Sequence, residues 1–181
     1  PEGTALPVTA NVTRRLSDVL REVPEVTALQ TYVGTVSPFN FNGMVRHYYL
    51  RGRAWEGDIQ VMLLDKDDRE RSSHEIASAV RDLLAPVAMD LGARIAVVEM
   101  PPGPPVLQTV VAELYGPDAE IRRQVAADLT QMFEQVPDIV DVDNYMSEPH
   151  DRWRFLVDTE KATRRGISVD AINRNLAMAM G

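Results

Sequence analysis

The strongest constraint on the fold is an internal repeat. Leu16–Val33 (LSDVLREVPEVTALQTYV) aligns without a gap on Leu129–Met146 (LTQMFEQVPDIVDVDNYM), Leu16 falling on Leu129, an offset of 113. Leu20 falls on Phe133, Val23-Pro24 on Val136-Pro137, Glu25 on Asp138 and Tyr32 on Tyr145. In each copy a helix-period apolar stripe runs into Val-Pro, then an acidic residue, then a strand-like run. Proline lacks an amide hydrogen and biases the preceding residue away from helix, so both helices are expected to stop there and turn into a strand. A unit of helix, turn and strand occurring twice in 181 residues favours two small domains over one large one.

The rest of the chain fits around that unit. A helix is expected from about Pro7 to Glu22, with Val12, Leu16, Val19, Leu20 and Val23 on one face. Strands are expected at Val26–Val33 and Asp58–Leu64, joined through a Gly/Pro/Asn loop, Gly34–Gly43, and a possible extension at Met44–Arg51. The charge run Asp65–Arg71 leads into Ser72-Ser73-His74-Glu75, which fits a capping box. The helix it opens carries Ile76, Val80, Leu83, Leu84 and Val87, should kink at Pro86, and ends at Gly92, before a strand at Arg94–Glu99. MPPGPP (Met100–Pro105), four prolines around one glycine, marks the linker. Beyond it come a strand at Leu107–Tyr115 and a helix capped by Asp118 with Ile121, Val125, Leu129, Met132, Phe133 and Val136 on its apolar face. Strands at Ile139–Met146 and Trp153–Asp158 follow, then two short helices with Ile172 and Leu176 inward. This order is α+β: two tandem ferredoxin-like split βαβ modules, residues 1–102 lacking the first strand and residues 103–181 lacking the last. A chain that starts on Pro1 and ends in a helical run at Gly181 is expected to be a segment of something longer.

Composition excludes several function classes. A net charge of −8 with scattered basic residues argues against a nucleic-acid partner, and Arg164-Arg165 reads as a helix C-terminus. Without cysteine there is neither a disulfide nor a thiolate metal site. The uncharged stretch Val26–Val45 is too polar to span a membrane. His47, His74 and His150 lie in separate segments without metal-ligand spacing, and His74 reads as a solvated surface residue. Asp65, Asp67 and Asp68 read as a solvated turn, because neither the glycine nor the downstream glutamate of a calcium loop follows. No phosphate-binding glycine motif or nucleophile elbow is present, so no catalytic residue, resident metal or cofactor is expected, and the chain is not read as an enzyme. A metal-dependent enzyme built on His47, His74 and the acidic loop is a distant reading.

Two features invite a binding role. Phe39 and Phe41 sit two apart in the Gly34–Gly43 loop, either as an adaptable apolar contact surface or as rings folded back over the sheet. Most of the eight methionines fall at core-period positions, but Met44 and Met100 flank loops, where a thioether could meet a soft ion.

Asp158–Asn173 (DTEKATRRGISVDAIN) resembles the D-x-E-K-A-x-x-x-G-[VI]-[ST]-x-x-[DA]-I-N segment of RND efflux transporter permeases, of the acriflavin-resistance and cation-efflux type. The tandem modules with their Val-Pro repeat resemble the periplasmic porter region of the second half of those proteins, over nearly the whole chain. Pro38–Gly43 (PFNFNG) is similar to the G-F-x-F-x-G switch loop of multidrug members, with Pro38 in place of the first glycine. The resemblance turns the loop toward substrate contact, through Phe39, Asn40 and Phe41, with Met44 flanking the loop and Met100 near the end of the strand lining the cleft between modules. It implies a small-molecule or ion substrate, a homotrimer, a periplasmic adaptor and outer-membrane channel, and an inner-membrane protein with this segment in the periplasm. Proton coupling would lie elsewhere, in charged residues within membrane helices. The alternative is a free-standing tandem ferredoxin-like module that senses a small ligand.

Overall fold

The computed structural model describes residues 1–38, 43–44, 50–99 and 110–180. Helix α1 spans Leu6–Leu20, with Pro7 in the first turn, where its missing amide costs nothing. It is followed by β1 (Val26–Val33) and β2 (Gly57–Leu63), and then by a single 3-10 turn at Lys66–Asp68. Helices α2 (Ser73–Asp90), α3 (Ala119–Glu134), α4 (Thr159–Arg164) and α5 (Val169–Met180) complete the order. The chain divides into two compact units, Pro1–His150 and Asp151–Gly181.

The helix boundaries follow the local chemistry. Ser72 accepts from the Glu75 amide and Glu75 reaches back to the Ser72 amide, so the expected capping box is present. Asp118 and Asp158 each accept from the amide three residues on, both at 3.0 Å, and so start α3 and α4. At the C-termini of α2 and α4, Gly92 and Gly166 take positive φ, +60° and +70°. The residue after each glycine reaches back five positions, Ala93 to Ala88 at 2.8 Å and Ile167 to Ala162 at 3.0 Å. This closes both helices in Schellman motifs, which only a residue without a Cβ enters without strain. Helix α2 is continuous through Pro86, which stands in its last two turns.

The core belongs to the first repeat. Leu16, Leu20 and Val23 of the α1 stripe meet Ile76, Val80 and Leu84 of α2. Around them pack Val12, Val19, Val26, Leu29, Ile59, Leu63, Val87, Ile95 and Val97. Thr9, Thr13 and Ser17 form a second buried row on α1. Burial of their hydroxyls is tolerated because Thr13 and Ser17 donate to carbonyls one turn back, at 2.9 and 2.8 Å. Strands β1 and β2 are antiparallel, pairing from Val33 with Gly57 to Val26 with Leu63, with an irregularity between Val26 and Ala28.

The helix-and-turn half of the repeat recurs down to single hydrogen bonds. Glu22 N–H donates to Val19, Val23 N–H to Leu20, and Val26 N–H to Val23, at 3.2, 3.2 and 3.0 Å. In the second copy Gln135 donates to Met132, Val136 to Phe133, and Ile139 to Val136, at 3.2, 3.1 and 3.2 Å.

The strand half does not recur. Among the described residues the only sheet is β1–β2, and Arg94–Glu99, 110–115, Ile139–Met146 and Trp153–Asp158, all expected as strands, join no ladder. A strand is stable only with a neighbour to take its backbone groups, and among the described residues these segments have none. In the second copy Asp138 and Asp141 also take left-handed φ, +73° and +55°, which breaks the extended run. Exposure differs from expectation in step. On α3, Ile121, Val125 and Met132 are exposed and only Ala126 is buried, and Val136, just past its end, is exposed too. Leu83 is exposed on α2, and Ile172 and Leu176 are half-buried on α5, where no residue is fully buried. The methionines expected in the core are mostly at the surface, among them Met89, Met132, Met178 and Met180.

Candidate functional site

The candidate site is the connection between β1 and β2. Phe39, Asn40 and Phe41 lie outside the described residues, as do Met100 and His47. Met44, the remaining expected contact, is exposed. What the structure describes is the frame from which this connection springs.

That frame is braced on both sides. Gly34 turns the chain out of β1 at φ +64°, and its amide donates to Glu56 at 2.9 Å. The Glu56 amide donates to the Arg53 carbonyl, and its carboxylate accepts from the Arg53 amide, both at 2.9 Å, closing a reciprocal turn. The Arg53 guanidinium lies 5.5 Å from the Trp55 ring centroid, within cation–π range. Arg51 reaches Asp58 at 3.5 Å at the start of β2. Gly57 sits so close to α1 that a Cβ there would stand 3.0 Å from the Thr13 hydroxyl. Glycine at this position lets the strand approach the helix, and the loop is held at its root.

Behind the frame, the turn after Val23-Pro24 is fastened to the entry of α2. The Arg71 guanidinium donates twice to Glu25, at 2.7 and 2.6 Å. These bonds hold the Glu25 carboxyl below the ordinary carboxylate range. Glu75 is lowered too, by the Ser72 hydroxyl and amide that it accepts from. A cavity of about 280 Å³ opens beside this pair, lined by Glu22, Val23, Pro24, Arg71, Ala79, Val80 and Leu83.

The segment after the second Val-Pro turn is fixed to the first repeat by charged groups that the sequence reading missed. Asp141 accepts from Arg81 of α2, with Nη2 at 3.1 Å and Nε at 3.3 Å from Oδ2. The Val97 amide donates to the same carboxylate at 3.2 Å, and Arg81 also donates to the Val97 carbonyl at 3.1 Å. Arg94 reaches Asp143 at 3.8 Å and Glu148 at 2.9 Å. Glu148 also accepts from the Glu2 amide at 3.1 Å, and His150 Nδ1 lies 3.7 Å from the Glu2 carboxylate, with its ring tilted against Trp55. Apart from Arg81 with Val97, 16 positions apart, these partners are 44 positions or more apart in sequence, so no periodicity could have announced them.

The remaining candidates are ordinary surface groups. His74 is mostly exposed and meets Glu99 at 3.1 Å. Asp65 caps the 3-10 turn by accepting from Asp67. Among the described residues no three His, Asp or Glu side chains are placed to hold a metal ion.

Comparison with known proteins gives one match. The model of the AcrB/AcrD/AcrF family matches residues 1–181, the full sequence. The chain belongs to that family. No curated protein and no solved structure matches it. Members of the AcrB/AcrD/AcrF family are RND efflux transporters of the inner membrane, not enzymes, and export small substrates. The resemblance carried by Asp158–Asn173 thus agrees with the match over the whole chain. Among the described residues no helix is long and apolar enough to cross a membrane.

Proposed function

We propose that this chain is the periplasmic substrate-binding and gating segment of a proton-driven RND efflux pump. It comprises two tandem ferredoxin-like modules, residues 1–102 and 103–181, and opens and closes a cleft between them. The family match over residues 1–181 carries the reading. The helix-and-turn unit repeated at Leu16 and Leu129 supports the two-module division, with MPPGPP as the connector.

In this reading Phe39, Asn40 and Phe41 contact the cargo, and Met44 and Met100 border the cleft. The braced root of the loop at Gly34, Glu56 and Gly57 supports such a role, since an aromatic loop on a rigid base presents its rings at low entropic cost. The cargo is a small molecule or a metal ion. The full-length protein forms a homotrimer that engages a periplasmic adaptor and an outer-membrane channel.

The test is the double substitution Phe39→Ala with Phe41→Ala in the full-length pump. The expected result is normal expression and folding with at least a several-fold loss of resistance or export for some substrates. Unchanged export across a broad panel would reject the assignment of the loop.

A further inference from the structure

We infer that Arg81, Asp141 and the Val97 backbone form a releasable clasp that sets the separation of the two repeats. This rests on the two-module reading above and gives it a physical latch. The second repeat contributes no residue to the apolar cluster between α1 and α2, whose members all lie between Val12 and Val97, and buries only Ala126 on α3. Helix α3 leaves Ile121, Val125 and Met132 exposed rather than packed on the first repeat. Polar groups join the described residues of the two repeats, alongside the tilted ring contact of Trp55 with His150. Asp141 takes hydrogen bonds from Arg81 and Val97, and Arg94 reaches Asp143 and Glu148.

The centre of this contact is the well-shielded part. The side chains of Arg81 and Asp141 are 22 % and 20 % exposed, whereas those of Arg94 and Asp143 are 62 % and 58 % exposed. A guanidinium forked onto a half-buried carboxylate is directional and strong when aligned. Once the partners part, both groups regain water, which offsets much of the loss of their mutual bonds. An interface of packed leucines could not open so readily. Asp141 reaches this position from a left-handed backbone, φ +55°, a conformation that non-glycine residues adopt at a cost and that the Arg81 and Val97 bonds offset. The clasp therefore releases in one step: loss of the guanidinium removes the reason for the backbone to stay in that geometry.

The chain contains no cysteine, so spin labels at Asn11→Cys on α1 and Gln124→Cys on α3 would be the only two in it. Pulsed electron paramagnetic resonance on the 181-residue chain should give one dominant distance. Asp141→Asn and Arg81→Gln should each replace that population with a broad, longer distribution. A control pair at Asn11→Cys and Met89→Cys, on α1 and α2, should not move. If a variant fails to fold, Arg81→Lys decides, because a single ammonium cannot donate the forked pair to Asp141 and reach the Val97 carbonyl together, so the same population should broaden or lengthen. An unchanged distance in the folded variants would overturn the clasp. Release of the clasp with export unaffected in the corresponding full-length variant would leave the clasp standing and reject its place in gating.

Discussion

The two repeats share a helix and a turn but not a core, and a pair of substitutions at matched positions measures the difference. Leu16 is 6 % exposed and lies in the apolar cluster between α1 and α2, whereas its counterpart Leu129 is half-buried on α3. Leu16→Ala removes a fully packed side chain and leaves a cavity, a change that costs about 3 kcal/mol in comparable cores. Leu129→Ala removes a side chain already part-hydrated and leaves no closed void, so only a transfer term of about 1 kcal/mol remains. With a urea slope of about 2 kcal/mol/M, the midpoints should fall by about 1.5 M and about 0.5 M. Tryptophan fluorescence is the natural readout, because Trp55 is half-buried in the first repeat while Trp153 is 88 % exposed and should change little on unfolding. Equal midpoint shifts for the two variants would refute the reasoning, since they would require Leu129 to be enclosed in a core of its own.

Two further outcomes follow from local geometry. Because Arg71 holds Glu25 below its ordinary pKa, the stabilisation is full above the unfolded carboxylate range and is lost as pH falls through the folded value. Glu25→Gln should therefore lower the Tm near neutral pH, with the gap to wild type closing on acidification; a gap independent of pH would contradict this. Gly92→Ala should destabilise by about 1 kcal/mol through strain alone, because φ is +60° and an added Cβ meets nothing within 4 Å. Gly116→Ala, where φ is not positive and the nearest outside atom is 3.8 Å away, is the near-neutral control in the same thermal melts.

How far the sequence could be read depended on the range of the interaction. Caps and stops are written within a few residues, and Ser72, Glu75, Gly92, Asp118 and Gly166 act as their spacing indicated. The stripe of α1 was legible for the same reason, since a helix supplies its own backbone partners. Alternating apolar runs such as Arg94–Glu99 and Ile139–Met146 carry only half the information for a strand. They name the face but not the neighbour, and here the described structure supplies no neighbour. The Arg81–Asp141 contact depends wholly on tertiary placement, so it left no mark in the sequence. Of the expected binding residues, the structure describes Met44 alone, at the surface.

The helix end and turn at each Val-Pro share the same three main-chain hydrogen bonds, while the side chains around them differ. Glu25 is gripped by Arg71, whereas Asp138 stands in a left-handed conformation at the matching place. A joint written in the main chain can be inherited through extensive drift in side-chain identity, with the Val-Pro pair and a few matched positions such as Leu16 with Leu129 and Tyr32 with Tyr145 as visible relics. Ancestral kinship between such units therefore outlasts what residue-by-residue scoring can register. Further copies in longer relatives are better sought by their pattern of backbone bonds than by percent identity.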